Sequence, residues 1–398
     1  MKAWLAARLL GQAPRAMAVL RRVRPVLKIG STVIVTRYDD VLEVFRRDDV
    51  FDTPYKAQID VLTGGEPFFL GMRAGPDYDA GVKAMRTVMH AGDLARLGER
   101  AETLAATAVA AHEGGLDVVD DLARRVTFEL YADYLGIPRP AVGRIEVWAT
   151  RLFEFQFAGS PDDHALRAEV DAIAPAFRAH IDSEITRRKS AGSNGADDVM
   201  ARCLALQAEG ETQFTDTFIR THLLCMMVGG PPQPPMVIPH AMEQLLRRPT
   251  ALSAAVAAAR ADDDERLWRI VREALRFDPL APALPRVATA DLTIACGTSR
   301  ETPLAAGTKV FAAFASAMRD PRRLPSPETF DPDRLDHEYI HFGHGLHECF
   351  GRMMNEATLH RILKPLLKQP RLRRASGPSG RLSKNGVFAD RLTVRYGP

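Results

Sequence analysis

The sequence predicts a mainly α fold with small β elements, and three observations carry that expectation. First, alanine and leucine recur at helical spacing from Leu94 to Leu135, with a break near His112–Leu116. The pattern continues over 139–190 and 197–209, with polar Gly and Pro breaks between. Second, strand-like runs are short and few: Thr32–Tyr38 (TVIVTRY), Asp291–Ile294, Lys309–Phe314 and Leu392–Arg395. Asp39–Arg47 reads as an acid-capped helix after the first of them. Third, 46% hydrophobic and 26% charged residues describe an ordinary globular chain rather than a disordered or fibrous one. Length alone allows two or three domains of ~150 residues, but no internal repeat or low-complexity linker divides the 398 residues, so one large domain is expected.

The net charge of +3 is unevenly placed. Residues 1–28 hold seven basic side chains (Lys2, Arg8, Arg15, Arg21, Arg22, Arg24, Lys28) and no acid, and read as a basic N-terminal extension. From residue 29 onward 46 basic residues face 50 acids, so no general nucleic-acid-binding surface is expected. A second acid-free stretch, Lys364–Lys384, again carries seven basic residues. Trp4, Leu5, Leu9 and Leu10 fit one amphipathic face, read as a solvated helix ahead of a membrane-surface anchor. The N-terminus lacks the sustained apolar core of a signal peptide, and no apolar run approaches the ~20 residues of a membrane span.

Cys203, Cys225, Cys296 and Cys349 lie far apart with no CxxC, which fits a reducing cytoplasm and no disulfide framework. Cys349 stands out: Gly343, Gly345 and Gly351 bracket it, and an apolar stripe of Phe350, Met353, Met354 and Ala357 follows at helical spacing. A glycine-rich loop running into a helix N-terminus favours thiolate over thiol and lets backbone approach a large flat ligand. Spacing alone leaves a thiolate metal ligand and a nucleophile about even, beside a buried structural cysteine and a phosphate loop. No second cluster builds a four-ligand zinc site.

Phe342-Gly343-His344-Gly345-Leu346-His347-Glu348-Cys349-Phe350-Gly351 resembles the haem-binding signature F-G-x-G-x-H-x-C-x-G of soluble bacterial cytochromes P450, at all six fixed positions. The resemblance implies the cytochrome P450 fold over a single haem domain, 29–398, with haem b (iron protoporphyrin IX) as cofactor. It makes Cys349 the axial ligand of haem iron, His347 a propionate contact, and Phe342 the ring against the sulfur, with Gly343, Gly345 and Gly351 letting the loop lie under the porphyrin.

Other segments extend the likeness to roughly residues 30–395. Glu273 and Arg276 form an ExxR pair which, in isolation, is an ordinary surface ion pair. By resemblance they are structural, with Arg334 of FDPDR as third member. Arg286 of LPRVAT resembles the arginine that pairs with a haem propionate, a role suited to a planar guanidinium.

Two departures stand out. Where the family carries A-G-x-[DE]-T, this chain reads Val228-Gly229-Gly230-Pro231-Pro232-Gln233-Pro234-Pro235. Gly230 is kept, Pro232 replaces the acid and Gln233 the alcohol, so Gln233 and Gly230 are the candidate catalytic positions. Each proline removes an amide donor, so two half-helices with a non-helical joint are expected, freeing the carbonyls of Met227, Val228, Gly230 and Pro231. By resemblance that joint lies over the distal haem face. The alternative is a kinked core helix whose prolines only shape the pocket. Second, Tyr78 and Val82 stand where many members carry histidine and arginine. Tyr78 is the candidate propionate donor, with Lys83 or Arg86 as substitutes.

The resemblance places Phe68, Phe69, Leu70, Met226, Met227, Leu284 and Phe388 around a hydrophobic small-molecule substrate, against the simpler reading of core packing. It implies an oxidoreductase: a monooxygenase using O2 and electrons from a ferredoxin and its reductase, docked on Arg352 and the basic 364–384 stretch, which reads equally as a solvated basic surface. The alternative is a peroxide-using peroxygenase, or a hydroperoxide isomerase or dehydratase needing no redox partner. A non-catalytic haem ligand sensor stands third.

Overall fold

Gly30 at φ +60° closes a two-residue hairpin between β1 (Val26–Ile29) and β2 (Thr32–Val35), the backbone that such a turn demands. The computed structural model describes residues 14–160, 162–191, 195–336 and 339–397. Lys2, Arg8 and the Trp4–Leu10 face lie outside the described residues. A first helix, α1 (Pro14–Val23), precedes the hairpin. After it come α2 (Tyr38–Arg46), β3 (Phe51–Asp52), α3 (Lys56–Thr63), α4 (Pro76–Val88), α5 (Leu94–Ala110) and β4 (Gly115–Asp117). A π-helical run, Val118–Arg124, leads into α6 (Arg125–Leu135), followed by α7 (Ile145–Phe157), α8 (His164–Ala191) and α9 (Val199–Ala208). Next are α10 (Asp216–Gly229), α11 (Pro234–Leu246), α12 (Pro249–Arg260) and α13 (Asp264–Phe277). The chain closes with β5 (Leu284–Ala288), β6 (Leu292–Ile294), β7 (Thr302–Leu304), β8 (Lys309–Ala312), α14 (Phe314–Ala317), α15 (Arg352–Leu367), β9 (Arg373–Arg374), β10 (Ser383–Asn385), β11 (Phe388–Arg391) and β12 (Thr393–Arg395).

The described residues gather into two interleaved units: one holds the chain from 14 to Pro54 with His240–Arg352, the other Tyr55–Pro239 with the chain from Met353 to 397. The first unit is built on a five-stranded sheet, order β1-β2-β8-β5-β3, in which only β2 and β8 run parallel. Its core gathers Val33, Val35, Phe45, Phe51, Val310, Ala312 and Phe314. Alternation is absent from β2, where Val33, Ile34 and Val35 are all buried, because both faces are covered. In α2, Asp39 and Asp40 stand in the first turn and Arg46 in the last, complementing the helix dipole.

Within the basic N-terminal stretch, Arg21 is buried and donates to the carbonyl and hydroxyl of Ser316 at 2.8 Å, and Lys28 donates to the Pro303 carbonyl. The second unit is helical, with α8 packing on α7, α10 and α3. Its two small sheets are β4-β12-β9 and β10-β11. No helix among the described residues is long and apolar enough to cross a membrane.

Candidate haem-thiolate site

The cysteine loop is shaped by two glycines in the left-handed region, Gly343 at φ +78° and Gly345 at φ +79°. A Cβ on Gly345 would stand 2.4 Å from the Phe45 carbonyl oxygen, so only glycine lets the loop meet the end of α2. Asp48 fastens the loop there by accepting the Leu346 amide at 3.2 Å, and Arg46 Nε donates to His344 Nε2 at 3.1 Å. Main-chain bonds fold it back on itself: the Cys349 amide donates to the Phe342 carbonyl at 2.9 Å and Arg352 to the Cys349 carbonyl at 3.1 Å. Cys349, half-buried and outside any disulfide, therefore sits at the N-terminal edge of α15.

Arg286 lies in the same unit, on β5 and 2% exposed. Its guanidinium donates to the Pro285 carbonyl at 3.0 Å and stands 5.1 Å over the Phe45 ring. Leu284, two residues earlier, faces Gly343. His347 and Phe342 are half-buried in the loop. One unit thus brings together Cys349, a loop of left-handed glycines and a buried cation. That donor set fits haem b: a thiolate for iron, a flat backbone for the ring, and a guanidinium for a carboxylate.

Glu273 and Arg276 are fully buried and pair bidentately at 2.7 and 2.8 Å, and Arg334 Nε reaches Glu273 at 3.5 Å. Sequence reasoning missed Tyr339, whose hydroxyl donates to Glu273 at 3.1 Å. It also missed His341, whose ring packs on Phe342 with centroids 4.6 Å apart. Burial, reinforced by the charges of Arg272 and Arg352, pushes His341 down to about 3, so the ring is neutral.

The second unit holds the proline-rich joint. The structure ends α10 at Gly229 and starts α11 at Pro234. Gln233 splices the two helices. Its carbonyl accepts the first amides of α11, from Met236 and Val237, while its side-chain amide donates to the Gly229 carbonyl. In a continuous helix that carbonyl would take the Gln233 main-chain amide. Here the main-chain amide goes to Gly230 instead, at 3.2 Å. The Gly230 carbonyl, expected to be freed, is therefore occupied. Packing by itself demands glycine at Gly230, since a Cβ there would lie 2.3 Å from the Tyr131 ring.

The pocket residues separate. Met227 is buried at 0% exposure. Phe68 and Phe69 are buried and pack around His222, with ring centroids at 5.4 and 5.9 Å. Burial pushes His222 down to about 4, against the Phe218 carbonyl that favours its charged form. Leu70 and Met226 are half-buried. Phe388 packs edge-on to Phe153. Tyr78, on the first turn of α4, lies edge-on to Phe69, while Lys83 and Arg86 are exposed. The basic 364–384 stretch is not one surface: Lys364 is buried and pairs with Glu102 at 3.2 Å, while Arg371 and Arg373 are exposed.

Known proteins resemble this chain at three levels. Cyclomarin C epoxidase CymV of Salinispora arenicola is 27% identical over 245 residues, covering 61% of this chain and 57% of that protein. A bifunctional dioxygenase–epoxy alcohol synthase of Pyricularia oryzae is 36% identical over 99 residues, 25% of this chain and 9% of its own length. The chain thus spans little more than half of the first relative and a small part of the second. The open cytochrome P450 EryK of S. erythraea has a TM-score of 0.80 at 22% identity, covering 96% of this chain and 95% of that one, and shows the fold. The model of the family described as Cytochrome P450 matches residues 151–386, more than half of the chain. With the cysteine loop, the buried trio and that match together, the chain belongs to the cytochrome P450 family.

Proposed function

We propose that the chain is a monooxygenase that oxidises a hydrophobic small molecule with O2, using electrons from a ferredoxin-type partner and its reductase in the cytoplasm. The carrying observation is the Cys349 loop, with its left-handed glycines and helix N-terminus. Haem b, the family's prosthetic group, would supply the oxygen-activating iron, and a cysteine thiolate held to it would push the electron density that favours O–O cleavage. Cys349 would hold the iron, Arg286 and His347 the propionates, and Tyr78 is a further propionate donor. Phe68, Phe69, Leu70, Met226, Leu284 and Phe388 supply the apolar lining, consistent with an apolar substrate. The epoxidase relative supports oxygenation. Exposed Arg371 and Arg373 supply the positive charge for an acidic partner.

A second reading, rearrangement of an organic hydroperoxide without electrons, is favoured by a specific observation. The joint from Gly229 to Pro235 holds neither acid nor alcohol, and one amide proton of Gln233 is spent on Gly229. The similarity to a dioxygenase–epoxy alcohol synthase points the same way. Products made under ¹⁸O₂ from apolar compounds and fatty hydroperoxides, with and without a surrogate ferredoxin system, separate the two. Label entering product only when electrons are supplied is the expected result. Unlabelled product from a hydroperoxide without electrons replaces the first reading with the second.

Gln233→Met tests the joint. It keeps the length and removes the donor to Gly229, so a loss of ~1 kcal/mol in stability is expected, read by urea unfolding. If the amide also orders water for proton delivery, turnover per folded haem falls about tenfold, one hydrogen bond's worth of transition-state binding. An unchanged rate and coupling make Gln233 a splice alone.

A further inference from the structure

A half-open cleft of about 930 Å³ lies wholly within the second unit, and it contains none of the residues assigned to haem or to the proline-rich joint. One face of α6 forms a wall, through Arg125, Phe128 and Ala132 at helical spacing. The 136–144 loop, the start of α7 and the last turns of α8 form the rest. A volume of this order falls in the range of small-molecule sites.

The charges lining it do not cancel locally. Its carboxylates are already engaged: Asp120 by Arg124 at 2.8 Å, Glu129 and Asp133 by Arg100, Glu184 by Arg187 and Arg188, and Asp198 by Arg188 at 2.7 Å. Glu146 stands 3.8 Å from Arg144. Arg125 and Arg139 are exposed and pair with no carboxylate among the described residues. Of the seven arginines that line the cleft, these two alone lack a carboxylate partner among the described residues.

Beside these guanidinium groups the surface is apolar where water would ordinarily select polar residues. Val147 lines the cleft at 44% exposure, and Val142, in the loop that walls it, is 83% exposed. Thr150, also lining it, has a buried hydroxyl with no hydrogen-bond partner among the described residues.

We propose that this cleft is a second binding site, separate from the haem pocket, for an amphipathic organic anion: a carboxylate or sulfate held by Arg125 and Arg139, on an apolar body laid against Phe128, Ala132 and Val147. Opposite charge selects the head group, and the apolar side chains of Phe128, Ala132 and Val147 select the tail. A cationic amphiphile of the same length is rejected by the same arginines.

The test counts dodecanoate bound to the holoenzyme by equilibrium dialysis below its micellar concentration, while the haem absorption spectrum reports the haem pocket independently. The expected result is one dodecanoate that leaves the haem spectrum unchanged and is not displaced by dodecylamine. The double variant Arg125→Glu/Arg139→Glu loses that equivalent, with at least tenfold weaker binding, and keeps its haem response. Arg125→Lys/Arg139→Lys, which keeps the charge at both exposed positions, retains binding within a few fold. Undiminished binding to the glutamate variant overturns the proposal, as does a haem spectral change that tracks every dodecanoate bound.

Discussion

Cys349→Ser is expected to abolish the thiolate-type band of the reduced carbon monoxide complex, and with it turnover, while leaving the fold intact. The loop is held by main-chain bonds that serine preserves, from Cys349 to Phe342 and from Arg352 to Cys349, and by the anchors at Asp48 and Arg46. Serine is close in size and well suited to the edge of a helix N-terminus. Stability of the haem-free protein should therefore change by less than ~1 kcal/mol. What serine cannot do is ionise. The helix end that favours thiolate at Cys349 acts on a thiol whose ordinary value is near 8.5, whereas an alcohol stays protonated. Paired spectra and urea unfolding curves check both halves. A thiolate band persisting in the serine variant refutes the ligand assignment.

The parts of the fold legible in the sequence are those where a local rule and the tertiary structure agree. The cysteine loop is legible because positive φ and close approach admit only glycine at Gly345. The break after Gly229 is legible because four prolines remove four amide donors. Strand β5 was missed because Leu284–Ala288 contains Pro285 and spans only five residues, and its identity as a strand comes from pairing with β3 and β8. Strands β9, β10 and β11, of two to four residues, are likewise defined by their partners.

Charge patterns misled for a related reason. Arg21 and Lys364 sit in runs that look like solvated surface, yet both are buried because long side chains can carry their charge to a distant partner, Ser316 in one case and Glu102 in the other. Gln233 was legible as a departure, but its splice between Gly229 and the start of α11 depends on a side chain folding back four residues. No spacing rule specifies that.

Glu273→Ala is expected to cost about 3–5 kcal/mol, the usual penalty for removing one partner of a buried ion pair. Glu273 receives two bonds from Arg276, the Asp331 amide at 2.9 Å, the Tyr339 hydroxyl at 3.1 Å and Arg334 at 3.5 Å. Arg276, 0% exposed, also donates to the carbonyls of Met318, Pro327 and Thr329. Deleting the carboxylate leaves that guanidinium buried with carbonyl dipoles alone to balance its charge. Against a total stability of ~5–15 kcal/mol, much of the variant should be unfolded or lost to aggregation. Glu273→Gln keeps the shape and one acceptor and should cost less, about 1.5–3 kcal/mol, the worth of a hydrogen bond to a charged group. Arg266→Ala, which breaks the exposed pair with Asp333, should cost ~0.5 kcal/mol or less. Urea unfolding of the three variants gives the order. The consequence reaches the metal site by a short route. Asp331, Arg334 and Tyr339 belong to the segment that leads into the cysteine loop, and Ile340, next in the chain, accepts the Gly343 amide at 3.1 Å. Haem retention should therefore fall in the same order as stability, Arg266→Ala above Glu273→Gln above Glu273→Ala. Wild-type stability and full haem content in Glu273→Ala would show that the trio supports neither the segment nor the loop.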